Sequence, residues 1–483
     1  MRSILVGGCL LFAIACQCGP PIESGGGFDA GAGDAGSSDA AVACTDLTWA
    51  APPGCTATDL EGRLGCVPNL RSSRAATSPA GFTQYNLLLT QPVDHLDPDA
   101  GTFEQRATLL FASETAPVVL YTSGYGLPSW VSEVTKTFGA NQLSYEHRYF
   151  AASRPVPTDW SRLTISQAAA DAHELVKALR WLFPGRWVNS GASKGGMTSV
   201  YHRRFHPCDV DATVAYVAPV TYGATDPSYG PFIAAAGGAV WAQCRADLTR
   251  FQRQLLGARG ALVPLLASSQ FTRIGGPDRA LELAVVELPY AFWQYTSPDD
   301  SLHGCGAIPS PSATEAEMMD FLRYHSDPEI LASDGELEFF EPYYYQAATQ
   351  LGGPAPYEAP VADLLAYPGL DVAATYAPPG VPLTFDASAM ADVNQWLGRY
   401  GERVMLVYGA FDPWSTHQIP LGGANDSFTY VVEGGNHTAR LGLLSTGDRE
   451  AALVTLERWL GRTRVNTPHL LPVPDAPEPR VPR

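Results

Sequence analysis

Gly191-Ala192-Ser193-Lys194-Gly195-Gly196-Met197 follows a β-rich run at Trp187 and opens a stretch with helical spacing. A serine on so tight a strand-to-helix turn has a cramped backbone. Flanking glycines let the chain pass and leave the hydroxyl at a helix N-terminus, ready to attack an acyl group. The G-x-S-x-G pattern alone is a weak signal, so its context carries the weight. A serine hydroxyl is a poor nucleophile until a base takes its proton, and that base needs a carboxylate to orient it. Both follow downstream: Asp412 after the run Arg403–Tyr408, and His437 after the run Phe428–Val432 in Glu433-Gly434-Gly435-Asn436-His437. Ser193, Asp412 and His437 are therefore expected to meet as nucleophile, acid and base at the carboxyl edge of a parallel sheet. The oxyanion would be held by the N–H of Lys194 and one from Gly124 or Tyr125, in the Ser123-Gly124-Tyr125-Gly126 turn.

Each residue also has a plain structural reading: Asp412-Pro413 as a turn, His437 as a loop residue, Ser193 as a helix cap. Their chain order and their places at strand ends favour the chemical reading. His417 precedes the last strand and ranks second as base. His202 and His206 are spaced i, i+4, as a metal pair would be, but Arg203 and Arg204 between them and the missing Glu argue against zinc. No cofactor and no metal is implied.

The elements that must position these groups are short β-rich runs at Tyr85–Thr90, Phe103–Phe111, Val118–Thr122 and Leu143–Phe150, then a helical pattern over Ile165–Phe183. Strand and helix alternate at Trp187–Asn189, Lys194–Phe205 and Thr213–Val217, the pace of a parallel sheet with helical crossovers. The expected fold is α/β: a mostly parallel sheet in residues 44–220, a large helical cap inserted over 221–400, and the rest of the core in 401–463. A buried Glu146–Arg148 pair is expected at one strand end.

The 483 residues carry 31 basic and 49 acidic side chains, a net charge of −18, with no basic patch to neutralise phosphates. Nucleic acid is therefore an unsuitable partner. The start, with Arg2 before an apolar run to Ala15, reads as an export signal over residues 1–15. Ala13-Ile14-Ala15-Cys16 resembles the lipobox of bacterial lipoproteins, which makes Cys16 the expected acylated residue and lipid the only membrane attachment; plain secretion is the alternative. Residues 16–43 read as a flexible tether and 464–483 as a Pro-rich tail. Cys44, Cys55, Cys66, Cys208, Cys244 and Cys305 form an even set, as disulfides in an exported protein would, with Cys18 the odd thiol. Spacing leaves connectivity open, although Cys244 with Cys305 would staple one internal segment.

Several stretches together resemble secreted bacterial prolyl tri- and tetrapeptidyl aminopeptidases, serine peptidases related to lysosomal prolylcarboxypeptidase. They are Gln91-Pro92-Val93-Asp94-His95, Thr122-Ser123-Gly124-Tyr125, Glu146-His147-Arg148-Tyr149-Phe150, Ser193-Lys194-Gly195-Gly196-Met197, Ala215-Tyr216-Val217-Ala218-Pro219 and Asp412-Pro413-Trp414-Ser415. The resemblance implies an α/β-hydrolase core with a helical cap and release of short N-terminal peptides, often after Pro. Such an enzyme must read a free α-ammonium, which calls for a carboxylate in a partly closed pocket. Glu341 is the expected reader, with Phe340 and Tyr344 packing on a prolyl ring. Two other functions fit the same residues: a carboxylic ester hydrolase, and an inactive surface binding protein on a hydrolase scaffold.

Overall fold

A computed structural model describes residues 44, 49–267 and 269–465. The leader over 1–15, the tether over 16–43 with Cys16 and Cys18, and the tail from 466 lie outside the described residues.

Nine strands form one sheet. In chain order they are β1 Leu70–Arg74, β2 Thr83–Pro92, β3 Thr102–Phe111, β4 Val118–Tyr121, β5 Asn141–Tyr145, β6 Trp187–Ala192, β7 Ala212–Tyr216, β8 Val404–Gly409 and β9 Phe428–Val432. Their spatial order is β1-β2-β3-β5-β4-β6-β7-β8-β9. The first three pairings are antiparallel and the rest are parallel, as the strand–helix alternation predicts. Strands covered on both faces lose the polar alternation of a half-exposed strand, and β4 and β8 are buried at every position.

β5 begins earlier than hydropathy suggests because its first residues are polar and still buried. Asn141 Oδ1 accepts from the Ala112 and Ser113 N–H groups at 2.7 and 3.1 Å, and Gln142 Oε1 accepts from Ser132 N–H at 2.8 Å. These bonds replace the water such amides would otherwise need. The chain then leaves the sheet, and Glu146 and Arg148 take separate partners instead of each other. Arg148 forms a two-pronged pair with Asp171 at 2.6 and 2.7 Å. Glu146 accepts from Ser153 Oγ at 2.7 Å and lies 3.7 Å from the Arg106 guanidinium. His95 Nε2 joins Asp171 at 2.7 Å, so the Gln91–His95 and Glu146–Phe150 stretches meet in one buried polar brace beneath the sheet edge.

Helix α1 (Ile165–Leu179) and helix α2 (Lys194–Phe205) pack on the sheet. The segment between β7 and β8 is helical and builds its own apolar core. Its main elements are α3 (Ala242–Gly257), α4 (Pro277–Tyr295), α5 (Glu315–Ser326) and α6 (Asp334–Gln346). That core also takes in Tyr125, Phe150 and Trp414 from loops at the sheet's carboxyl edge, so cap and sheet share one apolar seam over the candidate site. Helix α7 (Ser388–Tyr400) precedes β8 and packs on the sheet through Met390, Val393 and Leu397, among Met197, Val200 and Leu406. Disulfides join Cys244 to Cys305, Cys55 to Cys66, and Cys44 to Cys208. The first staples the cap, and the last ties the N-terminal entry to the loop after α2. Among the described residues no helix is long and apolar enough to cross a membrane.

Candidate active site

Ser193 follows β6 and starts α2 at φ +54°, a conformation that L-residues rarely adopt. Its neighbours explain how the chain tolerates it. A Cβ on Gly195 would lie 2.2 Å from the Thr122 carbonyl oxygen, and one on Gly191 would lie 2.4 Å from the Gly195 backbone. Both glycines are thus required by close packing of the turn against the end of β4. Strain of this kind persists where the surrounding structure over-determines it.

The next residue, Lys194, is 2% exposed. Its Nζ donates to the Gly124 carbonyl and sits 5.4 Å from the ring centroids of both Tyr125 and Phe150. Burial pushes this amine well below the usual lysine range. The contact clamps the Ser123–Gly126 turn against the serine turn. In that turn the Gly124 N–H is bonded to Thr122 Oγ1 at 3.0 Å, and the Tyr125 N–H to Ser123 Oγ at 3.1 Å.

Asp412, after β8, is fully buried. Its Oδ1 accepts from Trp414 N–H at 3.1 Å, and its Oδ2 accepts from Ser415 Oγ at 3.2 Å and pairs with His437 Nδ1 at 2.8 Å. His437 follows β9, and its backbone N–H donates to the Gln294 carbonyl at 2.9 Å, so the end of cap helix α4 fixes the loop that carries the imidazole. The other ring nitrogen, Nε2, is buried and makes no hydrogen bond. Other buried polar atoms share this lack, and what sets Nε2 apart is that its ring lies beside Trp414, a wall of the Ser193 cavity. With Nδ1–H donated to the carboxylate, Nε2 carries the lone pair of the neutral ring. His417 is engaged elsewhere, with Nε2 at 2.6 Å from Ser228 Oγ and 3.6 Å from Asp226.

Ser193 and Lys194 line a small cavity, of about 20 Å³, together with Tyr125, Thr221, Tyr343 and Trp414. The Trp414 ring also lies 6.5 Å from the His437 ring, which links this cavity to the Asp412–His437 pair. The expected reader of the substrate amine sits in a different setting. Glu341 Oε1 pairs with Arg154 at 2.7 Å and Oε2 with Arg273 at 3.1 Å, so two cations surround one anion, a poor receptor for an ammonium group. Phe340 packs edge-on to Tyr125 at 6.0 Å, and Tyr344 lies 4.8 Å from the Tyr376 ring. Tyr125, Tyr343 and Trp414 are the aromatic walls; of these, Tyr343 stood in the sequence as one of three consecutive tyrosines with nothing to single it out.

His206 meets His173, with parallel rings 4.2 Å apart, and their ligand atoms and that of Asp209 lie within 4.8 Å of one another. Asp209 already bonds His173 Nδ1 and His202 Nε2, each at 2.9 Å, so this group closes on itself as a hydrogen-bonded network.

Residues 53–472 match the family model described as PS-10 peptidase S37. The chain belongs to this family. It is 37% identical over 416 residues to the prolyl tri/tetrapeptidyl aminopeptidase of Streptomyces mobaraensis, covering 83% of this chain and 85% of that one. The lysosomal Pro-X carboxypeptidase of Homo sapiens is 29% identical over 165 residues, 29% of this chain and 33% of that one. Among solved structures, the proline iminopeptidase of Mycobacterium smegmatis aligns with a TM-score of 0.36 and 14% identity, over 80% of this chain and 97% of that one. As an S37 peptidase the protein is a serine-type hydrolase, in agreement with the resemblance seen in the sequence, and its mostly parallel sheet with helices packed on it is the α/β architecture expected.

Proposed function

We propose that this peptidase removes short peptides, of three or four residues, from free N-termini, with Pro at the cleaved position, and that Ser193, His437 and Asp412 carry the chemistry. The observation that supports this most strongly is the buried His437: one nitrogen is held by Asp412 and the other lacks a partner, in a loop that Trp414 connects to the Ser193 cavity. Ser193 Oγ attacks the prolyl carbonyl as His437 Nε2 takes its proton. The ring returns that proton to the leaving amine, and an acyl-enzyme remains. Water, deprotonated by the same nitrogen, then releases the short peptide. The Lys194 N–H, with Gly124 or Tyr125, holds the oxyanion at each stage. For the turn residues this requires a donor to exchange its present Thr122 or Ser123 oxygen for the oxyanion.

The test compares Ala-Ala-Pro p-nitroanilide with a p-nitrophenyl acyl ester. The expected result is a higher kcat/KM on the tripeptide and loss of both activities, by at least about 1000-fold, in Ser193→Ala. Ester cleavage without peptidase activity would favour the carboxylic ester hydrolase. Failure of a fluorophosphonate to label Ser193 would favour the inactive scaffold.

A further inference from the structure

An oxyanion hole assembled from two elements works only if their separation is held to about half an ångström. In the proposed site one donor, the Lys194 N–H, begins helix α2, and the other belongs to the Ser123–Gly126 turn. The Lys194 side chain, through the Gly124 carbonyl, is one tie between them. A second tie runs through buried residues that the proposed chemistry leaves unused.

His147 lies in the loop after β5 and is buried, and its backbone N–H donates to the Tyr125 carbonyl at 2.9 Å. Its ring Nδ1 is 2.9 Å from the Arg148 carbonyl oxygen and its Nε2 is 3.1 Å from the Tyr201 hydroxyl. Tyr201 stands on α2, fully buried. Its hydroxyl meets Thr198 Oγ1 at 2.9 Å, and Thr198 Oγ1 donates to the Lys194 carbonyl at 2.8 Å. The path thus begins on the turn at Tyr125 and ends on the residue after the nucleophile. Phe150 stands edge-on to the Tyr125 and His147 rings, with centroids 5.5 and 5.9 Å away, and packs the path in place. Burial, and then the Lys194 charge, hold His147 well below the usual histidine range, so the ring is a neutral strut and a poor base.

We propose that His147 and Tyr201 are positioning residues for the oxyanion hole: the bond between them sets the separation of the Ser123–Gly126 turn from the start of α2, and with it that of the two donors. This rests on the Ser193 reading above, and the experiment separates the two. The full chain is assayed as wild type, Tyr201→Phe, His147→Gln, His147→Asn and the double variant of Tyr201→Phe with His147→Asn. The substrates are Ala-Ala-Pro p-nitroanilide and a p-nitrophenyl acyl ester, at a temperature where circular dichroism shows each variant folded. Fluorophosphonate labelling of Ser193 runs in parallel. Both substrates pass through a tetrahedral oxyanion, so the outcome does not depend on which bond the enzyme prefers.

Tyr201→Phe keeps the ring and loses the bond. Its kcat should fall about tenfold on either substrate with KM nearly constant, a fraction of the roughly 100- to 1000-fold cost of removing a donor outright. The Gln amide brings a donor and an acceptor to the phenol, whereas the shorter Asn reaches only towards the Arg148 carbonyl. His147→Gln should therefore keep kcat within about threefold of the wild type, and His147→Asn should match Tyr201→Phe. The double variant should fall no further than either single one, because both break the same bond. A wild type that fluorophosphonate does not label would overturn the Ser193 reading and this proposal with it. With the wild type labelled, an unchanged kcat in Tyr201→Phe, a loss carried by KM, or losses that multiply in the double variant would each overturn the positioning role alone. Should the His147 variants not fold, Tyr201→Phe, which removes a single oxygen, decides the matter by its kcat and KM.

Discussion

At the residue scale, the candidate site depends on contacts that admit little substitution. Gly191 and Gly195 are fixed by backbone within 2.5 Å of where a Cβ would stand, and this is why the serine turn could be read from sequence: steric necessity leaves a short local signature. Lys194 left no such signature. A lysine after the nucleophile looks like a surface residue until the fold folds it back under Tyr125 and Phe150 onto the Gly124 carbonyl. Its role in the proposed reaction is positional, since it clamps the turn that offers the second oxyanion donor. Lys194→Met keeps the length and the packing but removes the bond. We expect kcat to fall about tenfold, consistent with loosening one donor rather than deleting it, with KM nearly constant. Because the buried amine already carries a desolvation cost, the melting temperature should hold or rise. A matched fall in activity and in melting temperature would mean that the lysine only supports the fold.

At the element scale, the parallel strands and α2 were legible because hydropathy and spacing are local properties. What escaped depends on partners distant in the chain: the polar start of β5, held by Ala112, Ser113 and Ser132; the Arg154 and Arg273 pairs that neutralise Glu341; and the half-exposed edge strand β1. The face between α1 and α2 is another such case, and it makes a pH prediction. Burial, then facing His202 and His173, holds His206 down to about 3, against the opposing pull of Asp209 and with a further contribution from His95. Burial alone would raise Asp209, but bonds from His173 and His202 keep it below the usual carboxylate range, so it stays charged above pH 4. A histidine depressed on folding takes up its proton first in the unfolded chain. Its contribution is therefore complete above about pH 6.5 and is lost as pH falls towards 3. Between pH 7 and pH 5 this costs about 1 to 2 kcal/mol after allowing for its partial exposure. Urea unfolding at the two pH values should show a smaller loss for His206→Gln than for the wild type. Equal losses would show that the ring titrates normally.

At the scale of the whole molecule, charge, disulfides and the chain's start bear on one question, where the enzyme is held. Among the described residues three disulfides, one spanning 164 residues, suit an oxidising compartment. A net charge of −18 works against electrostatic adhesion to an anionic membrane surface, because such a body is repelled. A single acyl chain holds only marginally, so a lipid-anchored form needs more than one. We propose that the protein is exported and lipid-anchored at Cys16. Acyl anchoring differs from charge-based anchoring in its salt response, since burial of hydrocarbon does not weaken as ions screen the surface. In detergent phase separation the full-length protein from its expressing cells should enter the detergent phase equally at low and high salt. Cys16→Ala should move it to the aqueous phase with its peptidase activity intact. A protein that stays aqueous without the mutation would instead be plainly secreted, and release by salt alone would point to a charged partner on the surface in place of a lipid.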